Sequence, residues 1–350
     1  MPFQRQDIKD LSADQLAHWL TEQGEPAYRA AQIRKWLYTH QADDFEAMTN
    51  LSKGLRQRLA EHFSCARLQV AAVERSVDGC RKYLFQLQDG KFIESVLMPE
   101  TDRSTLCISS QVGCAQGCRF CLTAKGGLVR NLSAGEIIAQ VRDMIHLEPE
   151  PRLTNIVVMG MGEPLANYAN MIAAIGVITD ADAGLGISKR RFTLSTAGMV
   201  SRLEALGRDT DINLAISLNA ADDDTRSALM PINRTYPLAA LMAACRRYPL
   251  TPRGRITFEY ILMDGVNDAD ADAERLSKLL HGVKAKINLI PFNDYPGSPY
   301  RRPSDARVAA FQDALSRRQH TVMVRMSRGQ DISAACGQLR ANVLGKADTS

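Results

Sequence analysis

Gly113-Cys114-Ala115-Gln116-Gly117-Cys118-Arg119-Phe120-Cys121 places three thiols within eight residues. Three residues separate the first pair and two the second. Structural zinc takes four closed ligands, and iron–sulfur clusters are normally held by four thiolates. A set of three is therefore short by one. It fits a cubane [4Fe–4S] cluster with three corners held and the fourth iron left open to a small molecule. Two plainer readings compete. Cys107, seven residues upstream, could close a four-thiolate zinc site with Cys114, Cys118 and Cys121. The three could also be ordinary thiols, since free Cys is among the most buried residue types.

Downstream of the loop the chain alternates apolar strand candidates with helical patterns. The strand candidates are 106–109, 155–159, 192–195, 213–218, 256–262, 286–290 and 321–325. Ser133-Ala134-Gly135-Glu136 is a capping box before Ile137, Ile138 and Val141, so a helix starts there. Regular β–α alternation gives a parallel sheet with helices outside it, an open or closed barrel. Chemistry in such folds sits at the carboxyl ends of the strands. Those ends read Gly160-Met161-Gly162-Glu163-Pro164, Ser195-Thr196-Ala197-Gly198, Ser217-Leu218-Asn219-Ala220 and Pro291-Phe292-Asn293. Glu163, Ser195, Ser217, Asn219 and Asn293 offer a carboxylate, hydroxyls and amides, the groups that bind an amino acid carrying a ribose. Singly, each reads as a turn residue. Four polar strand ends in register beside a thiol loop point to a ligand.

Upstream, residues 1–65 read as helices. Ser12 caps a helix with Leu16, Trp19 and Leu20 on one face; Tyr28, Gln32, Trp36 and Leu37 mark a second, and Leu51, Leu55 and Leu59 a third. Arg29, Arg34, Lys35, Trp36, Tyr38, Arg56 and Arg58 interleave charge with aromatics. That pattern suits an RNA-contacting face and equally a solvated face over a small core. From Val70 the pattern alternates through Tyr83, Phe85 and Leu87 to Phe92, Ile93, Val96 and Leu97, with Asp89-Gly90 as a hairpin turn.

Length and composition bound the rest. The chain has 350 residues, 45% of them hydrophobic and 23% charged, which is usual for a soluble globular enzyme. A formal charge of +4 permits a nucleic-acid partner without demanding one. The eight Cys do not form a secreted disulfide framework, residues 1–7 lack the apolar core of a signal peptide, and no apolar run approaches the ~20 residues that span a bilayer. The expectation is a cytoplasmic protein with no membrane partner.

Over residues 10–342 the chain resembles the RlmN and Cfr family of radical S-adenosylmethionine (SAM) adenosine methyltransferases, and RlmN more than Cfr. The resemblance is carried by Ser109-Ser110-Gln111-Val112-Gly113-Cys114 with Cys118 and Cys121, by Arg130-Asn131-Leu132, and by Gly160-Met161-Gly162-Glu163-Pro164-Leu165. Ser188-Lys189-Arg190-Arg191 and Asp331-Ile332-Ser333-Ala334-Ala335-Cys336-Gly337-Gln338-Leu339 complete it. One departure is Asn219, where many relatives carry His.

The resemblance implies an α/β fold, a partial (βα)6-type radical SAM barrel with a small helical N-terminal accessory domain and a β-hairpin extension. Residues 1–68 would form the RNA-contacting helical domain and 69–100 the hairpin. Residues 101–342 would form the core with its C-terminal methyl-carrier segment, and 343–350 a flexible tail. It implies a [4Fe–4S] cluster on Cys114, Cys118 and Cys121, and two SAM molecules per turnover, contacted by Gly162, Glu163, Ser195, Ser217, Leu218, Asn219 and Asn293. The product would be 2-methyladenosine in 23S rRNA near the peptidyl-transferase centre and in tRNA 3′ of the anticodon. An aromatic C2–H is neither acidic nor nucleophilic, so polar methyl transfer has nothing to work with and one-electron chemistry is needed.

The same resemblance assigns Cys336 the S-methylcysteine intermediate, Glu94 the proton acceptor's role, and Cys107 the resolving thiol that frees the RNA by forming a disulfide with Cys336. Cys65, Cys80 and Cys245 match no role. Lys189-Arg190-Arg191, Arg246-Arg247, Arg301-Arg302, Arg317-Arg318, Arg325 and Arg328 are candidate phosphate contacts as an ensemble. A flavodoxin or ferredoxin would deliver the electron to a monomeric enzyme. The rivals are a Cfr-like C8 methyltransferase and a non-catalytic zinc-holding RNA-binding protein.

Overall fold

The computed structural model describes residues 5–339; the flexible tail expected at 343–350 lies outside them. One ten-stranded sheet carries the architecture. Its strands are β1 (Gln69–Arg75), β2 (Arg81–Gln86), β3 (Phe92–Pro99), β4 (Ser104–Cys107), β5 (Leu153–Val158), β6 (Phe192–Thr196), β7 (Asn213–Ser217), β8 (Ile256–Leu262), β9 (Ala285–Pro291) and β10 (Val322–Val324). They lie side by side in strict sequence order, from β1 at one edge to β10 at the other. From β4 to β10 every neighbouring pair is parallel, and from β1 to β4 every pair is antiparallel. Six strand–helix units followed by a short closing strand make the partial barrel that the resemblance implies.

The strands read as apolar runs because both faces are covered. Phe192, Leu194, Ile216, Phe258, Tyr260, Ile287 and Leu289 are all fully buried. The helix Ala134–Leu147 begins where its capping box places it: the Ser133 hydroxyl accepts from Glu136 N at 3.1 Å, and the Glu136 carboxylate accepts from Ser133 N at 2.9 Å.

The segment expected as a hairpin is a three-stranded meander, β1 to β3, fused to the barrel sheet through the β3–β4 pairing. Its Asp89-Gly90 turn forms as expected, with Gly90 at φ +78° and Leu87 N donating to Lys91 O at 2.8 Å.

The N-terminal helices Ala13–Glu22, Arg29–Tyr38 and Lys53–His62 bury Leu16, Leu20, Ile33, Leu37, Leu55 and Leu59 in a core continuous with that of the barrel. Tyr28 and Leu51 precede the helices they were expected to join; Tyr28 is exposed and Leu51 is buried ahead of the Ser52 cap. Arg142 ties the two parts together, being fully buried and donating to the carbonyls of Leu37, Ala42 and Cys65. Part of the expected basic–aromatic face is spent on the fold. Tyr38 is buried, Arg34 pairs with Asp180, Arg56 with Glu46, and Arg58 with Glu25.

The seam between β10 and the meander is filled by residues 325–339, a strap made mostly of turns. Arg328, one of the ensemble of candidate phosphate contacts, donates to Pro99 O at 2.8 Å and Asp78 O at 2.7 Å, so part of its guanidinium is spent on the fold. Asp331 accepts from the Ser76 hydroxyl and from Val77 N, and Lys82 Nζ donates to Ile332 O at 2.7 Å. Leu122 N donates to Gly337 O at 2.7 Å and the Thr123 hydroxyl to Leu339 O at 2.6 Å, which pins the strap to the thiol loop.

Candidate active site

The thiol loop opens on Gly113 at φ +78°, where a Cβ would stand 2.0 Å from Gly127 O. Only glycine allows that approach, and with it Cys114 N donates to Gly127 O at 2.8 Å. Cys121 N donates to Cys118 O at 3.1 Å, and Arg119 N reaches Leu229 O at 3.0 Å. Gln116 N points at the Cys114 sulfur from 3.5 Å, the kind of donor a bound thiolate uses.

All three thiols line a cavity of about 150 Å³ at the carboxyl ends of the strands. Burial pushes the Cys114 thiol up to about 11 and raises Cys118 further, so both are held protonated until a cation draws the protons off. Among the described residues no three His, Cys, Asp or Glu side chains converge as a single ion would require. Thiols that share an edge of one cavity without converging suit a cluster, in which each thiolate holds a different iron.

The expected ligand residues divide. Gly162, Glu163, Ser195, Ser217 and Asn219 line the same cavity as the thiols. Leu218 and Asn293 do not. Leu218 is fully buried and contributes backbone, its N donating to Glu259 O at 2.9 Å. Asn293 donates to the Ser327 hydroxyl at 2.6 Å, and its Oδ1 is buried without a partner.

Glu163 is buried, which raises its carboxyl pKa, and it is pinned by backbone donors from Ala197 (2.7 Å) and Leu165 (3.0 Å). Each oxygen keeps acceptor capacity for a ligand ammonium. Asn219 takes the left-handed conformation, φ +59°, which Asn adopts more readily than most residues. Its Oδ1 accepts from Ile261 N at 2.9 Å and its Nδ2 faces the Met230 sulfur at 3.3 Å, so its amide is largely spent on the protein.

A second cavity, of about 120 Å³, lies against the first and is lined by Val96, Cys107, Val157, Arg325, Ala335 and Cys336 among others. Four residues line both: Met159, Glu259, Ile290 and Cys336. Cys336 is thus in the shared wall, with the cluster thiols in one chamber and Cys107 in the other. Cys336 is exposed, unlike the buried Cys107 and Cys114. Cys107 belongs to the second chamber alone, which argues against the four-thiolate zinc site. Burial first, and the neighbouring Cys336 second, push the Cys107 thiol up to about 12.

Glu94 lines neither chamber. It shares a strand face with Val96 and Met98, which do line the second, and pairs with Lys82 at 3.5 Å.

Sequence reasoning missed three residues. Gln111 accepts from Glu163 N at 2.8 Å, and a Cβ on Gly162 would stand 2.6 Å from its side chain. Arg226, fully buried, gathers the carbonyls of Ala197, Ser217 and Leu218 at the ends of β6 and β7. Glu259 lies mid-strand in β8. Gln111 stood inside a quoted motif, whereas nothing in sequence separates Arg226 or Glu259 from surface charge.

A family model described as the ribosomal RNA large subunit methyltransferase N-terminal domain matches residues 6–65, and one for the radical SAM superfamily matches residues 108–276. The dual-specificity RNA methyltransferase RlmN of Desulfosudis oleivorans is 57% identical over 339 residues, 97% of this chain and 91% of that protein. The chain belongs to the RlmN family. The RlmN of Geobacter sulfurreducens is 52% identical over 96% of this chain and 92% of its own length. A crystal structure of a radical SAM methyltransferase from Sphaerobacter thermophilus superposes with a TM-score of 0.91 at 46% identity, covering 96% of this chain and all of that one. The cofactors of an RlmN-family chain are a [4Fe–4S] cluster and SAM. No helix among the described residues is long and apolar enough to cross a membrane.

Proposed function

We propose that this RlmN-family chain is an RNA methyltransferase that converts adenosine to 2-methyladenosine in 23S rRNA and in tRNA. The observation that carries the reading is the position of Cys336 in the wall between the thiol-lined chamber and the Cys107 chamber. Cys114, Cys118 and Cys121 hold the cluster, and Gly162, Glu163, Ser195, Ser217 and Asn219 hold SAM, with Leu218 and Asn293 supporting from behind. When bound, the two cofactors supply a carbon-centred radical able to take hydrogen from an S-methyl group.

The chain's own residues do the rest. Cys336, as thiolate, accepts a methyl group and carries it as S-methylcysteine. After loss of one hydrogen the carrier carbon bonds to C2 of the base, which must be splayed out of the RNA to reach it. Glu94 accepts the C2 proton, and the unpaired electron left on the base would return to the cluster held by the three thiolates, which restores a closed-shell adduct before the sulfur is attacked. Cys107 attacks the Cys336 sulfur; an S–S bond forms, the S–C bond breaks, and its electron pair returns to the methylene carbon, where a proton completes the methyl group. A flavodoxin- or ferredoxin-type donor serves a monomer in the cytoplasm.

Mass spectrometry of rRNA and tRNA treated with reduced, cluster-loaded protein tests the reading. 2-Methyladenosine supports it, and 8-methyladenosine alone would make the enzyme Cfr-like. Cys107→Ala should leave a covalent protein–RNA complex on a denaturing gel. Cys336→Ala should form no complex while still cleaving SAM, and normal turnover by Cys107→Ala would remove the resolving role.

A further inference from the structure

Glu259 is a buried carboxylate that none of the steps above uses. It stands in β8 between Ser217 of β7 and Asn288 of β9, on the inner face of the sheet, and lines both chambers beside Cys336. Asn288 Nδ2 donates to its Oε1 at 2.9 Å, which fixes the carboxylate; among the described residues no hydrogen-bond donor reaches its second oxygen. The other carboxylate in the first chamber, Glu163, is held at both oxygens by backbone N–H groups, and Glu94 is paired with Lys82 outside both chambers. A thiol that is to accept a methyl group must first lose its proton, since the thiolate is the nucleophile.

We infer that Glu259 is the base that takes the thiol proton of Cys336 when that sulfur accepts its methyl group. The step balances: the S–H proton passes to the Glu259 carboxylate, the thiolate forms an S–CH3 bond, and the sulfonium S–CH3 bond of SAM breaks to leave a neutral thioether. The inference rests on the methyl-carrier reading of Cys336.

The surroundings favour the transfer. Burial raises the carboxyl of Glu259, which makes it a stronger base than an exposed Glu. The charged groups acting on it are Arg325 from the strap and Lys286 from its neighbouring strand β9. Cys336 feels burial first, then Glu259, Arg325 and Cys121. Arg325 lines the second chamber and offsets the charge of the pair before the proton moves.

The two possible actions of Glu259 have opposite signs. As a neighbouring charge alone it raises the Cys336 thiol, so its removal would increase the thiolate population. As a base it speeds proton loss, so its removal slows reaction of the sulfur. Full-length, cluster-loaded protein without SAM is treated anaerobically with iodoacetamide from pH 6 to 9, and Cys336 alkylation is followed by peptide mass spectrometry. Glu259→Gln keeps the acceptor for Asn288 and should slow alkylation about tenfold or more near neutral pH, with partial recovery in Glu259→Asp. Alkylation that is faster than wild type, or unchanged, overturns the inference.

With SAM present, methyl incorporation at Cys336 should fall in parallel while SAM binding by equilibrium dialysis stays within about twofold. Loss of SAM binding with normal alkylation would also overturn it, assigning Glu259 to the ligand. A wild-type Cys336 that never gains a methyl group would instead remove the carrier reading itself.

Discussion

Raising the pH should accelerate release of methylated RNA. The resolving thiol, Cys107, is pushed up to about 12, chiefly by burial, where an ordinary thiol sits near 8.5. Its second cause, the Cys336 thiol, disappears once that sulfur carries the base, but burial remains. Only the thiolate attacks, and its population rises with pH until the pKa is passed. At pH 7 about one Cys107 in 10⁵ is ionised, and at pH 9 about one in 10³. Single-turnover decay of the protein–RNA adduct, quenched with acid and resolved on a denaturing gel, should therefore speed up about tenfold per pH unit from 7 to 9, without a plateau. A flat profile, or saturation below pH 8, would mean that Cys107 is ionised by a partner the chamber does not show, and would refute the reasoning.

Three further outcomes follow from the geometry. Glu163→Gln replaces one acceptor with an amide donor facing a backbone N–H from Leu165 or Ala197, which costs about 2 kcal/mol and should weaken SAM binding as well as lower the melting temperature; unchanged SAM affinity in calorimetry would take Glu163 out of the ligand site. Gly113→Ala drives a Cβ to within 2.0 Å of Gly127 O at a positive φ, so iron bound per chain after anaerobic reconstitution should fall well below wild type, and full loading would show that the loop tolerates a side chain. Arg142→Leu leaves the carbonyls of Leu37, Ala42 and Cys65 without their donor, about 1 kcal/mol or more each, and the urea midpoint should drop accordingly; an unchanged midpoint would show that other contacts hold the N-terminal helices.

The barrel was legible because its strands and caps are local. Ser133-Ala134-Gly135-Glu136 carries its own start signal, and Asp89-Gly90 its own turn. The thiol loop was legible because three ligands fall on one short segment. Spacing alone left Cys107 open as a fourth ligand; only the resemblance set it apart, and the physical reason, β4 and the loop facing different chambers, needed the structure. Asn219 and Asn293 show the same limit from the other side. A polar residue at a strand end advertises a ligand, yet most of the Asn219 amide is spent on Ile261 and Met230, and Asn293 bonds Ser327. Glu259 escaped notice because a single acid in an apolar strand has no signature until its neighbours are known.

The strap from 325 to 339 meets residues about 250 positions earlier, with Asp331 joined to Ser76 and Lys82 to Ile332. During synthesis the N-terminal parts emerge and fold first. The thiol loop then exists long before the sulfur it works with, which leaves the ribosome among the last residues of the described chain. A nascent or C-terminally clipped chain has the loop but no carrier, and its barrel seam stands unfilled. Cleavage of SAM needs only the loop, whereas transfer of a methyl group to the base needs the strap as well.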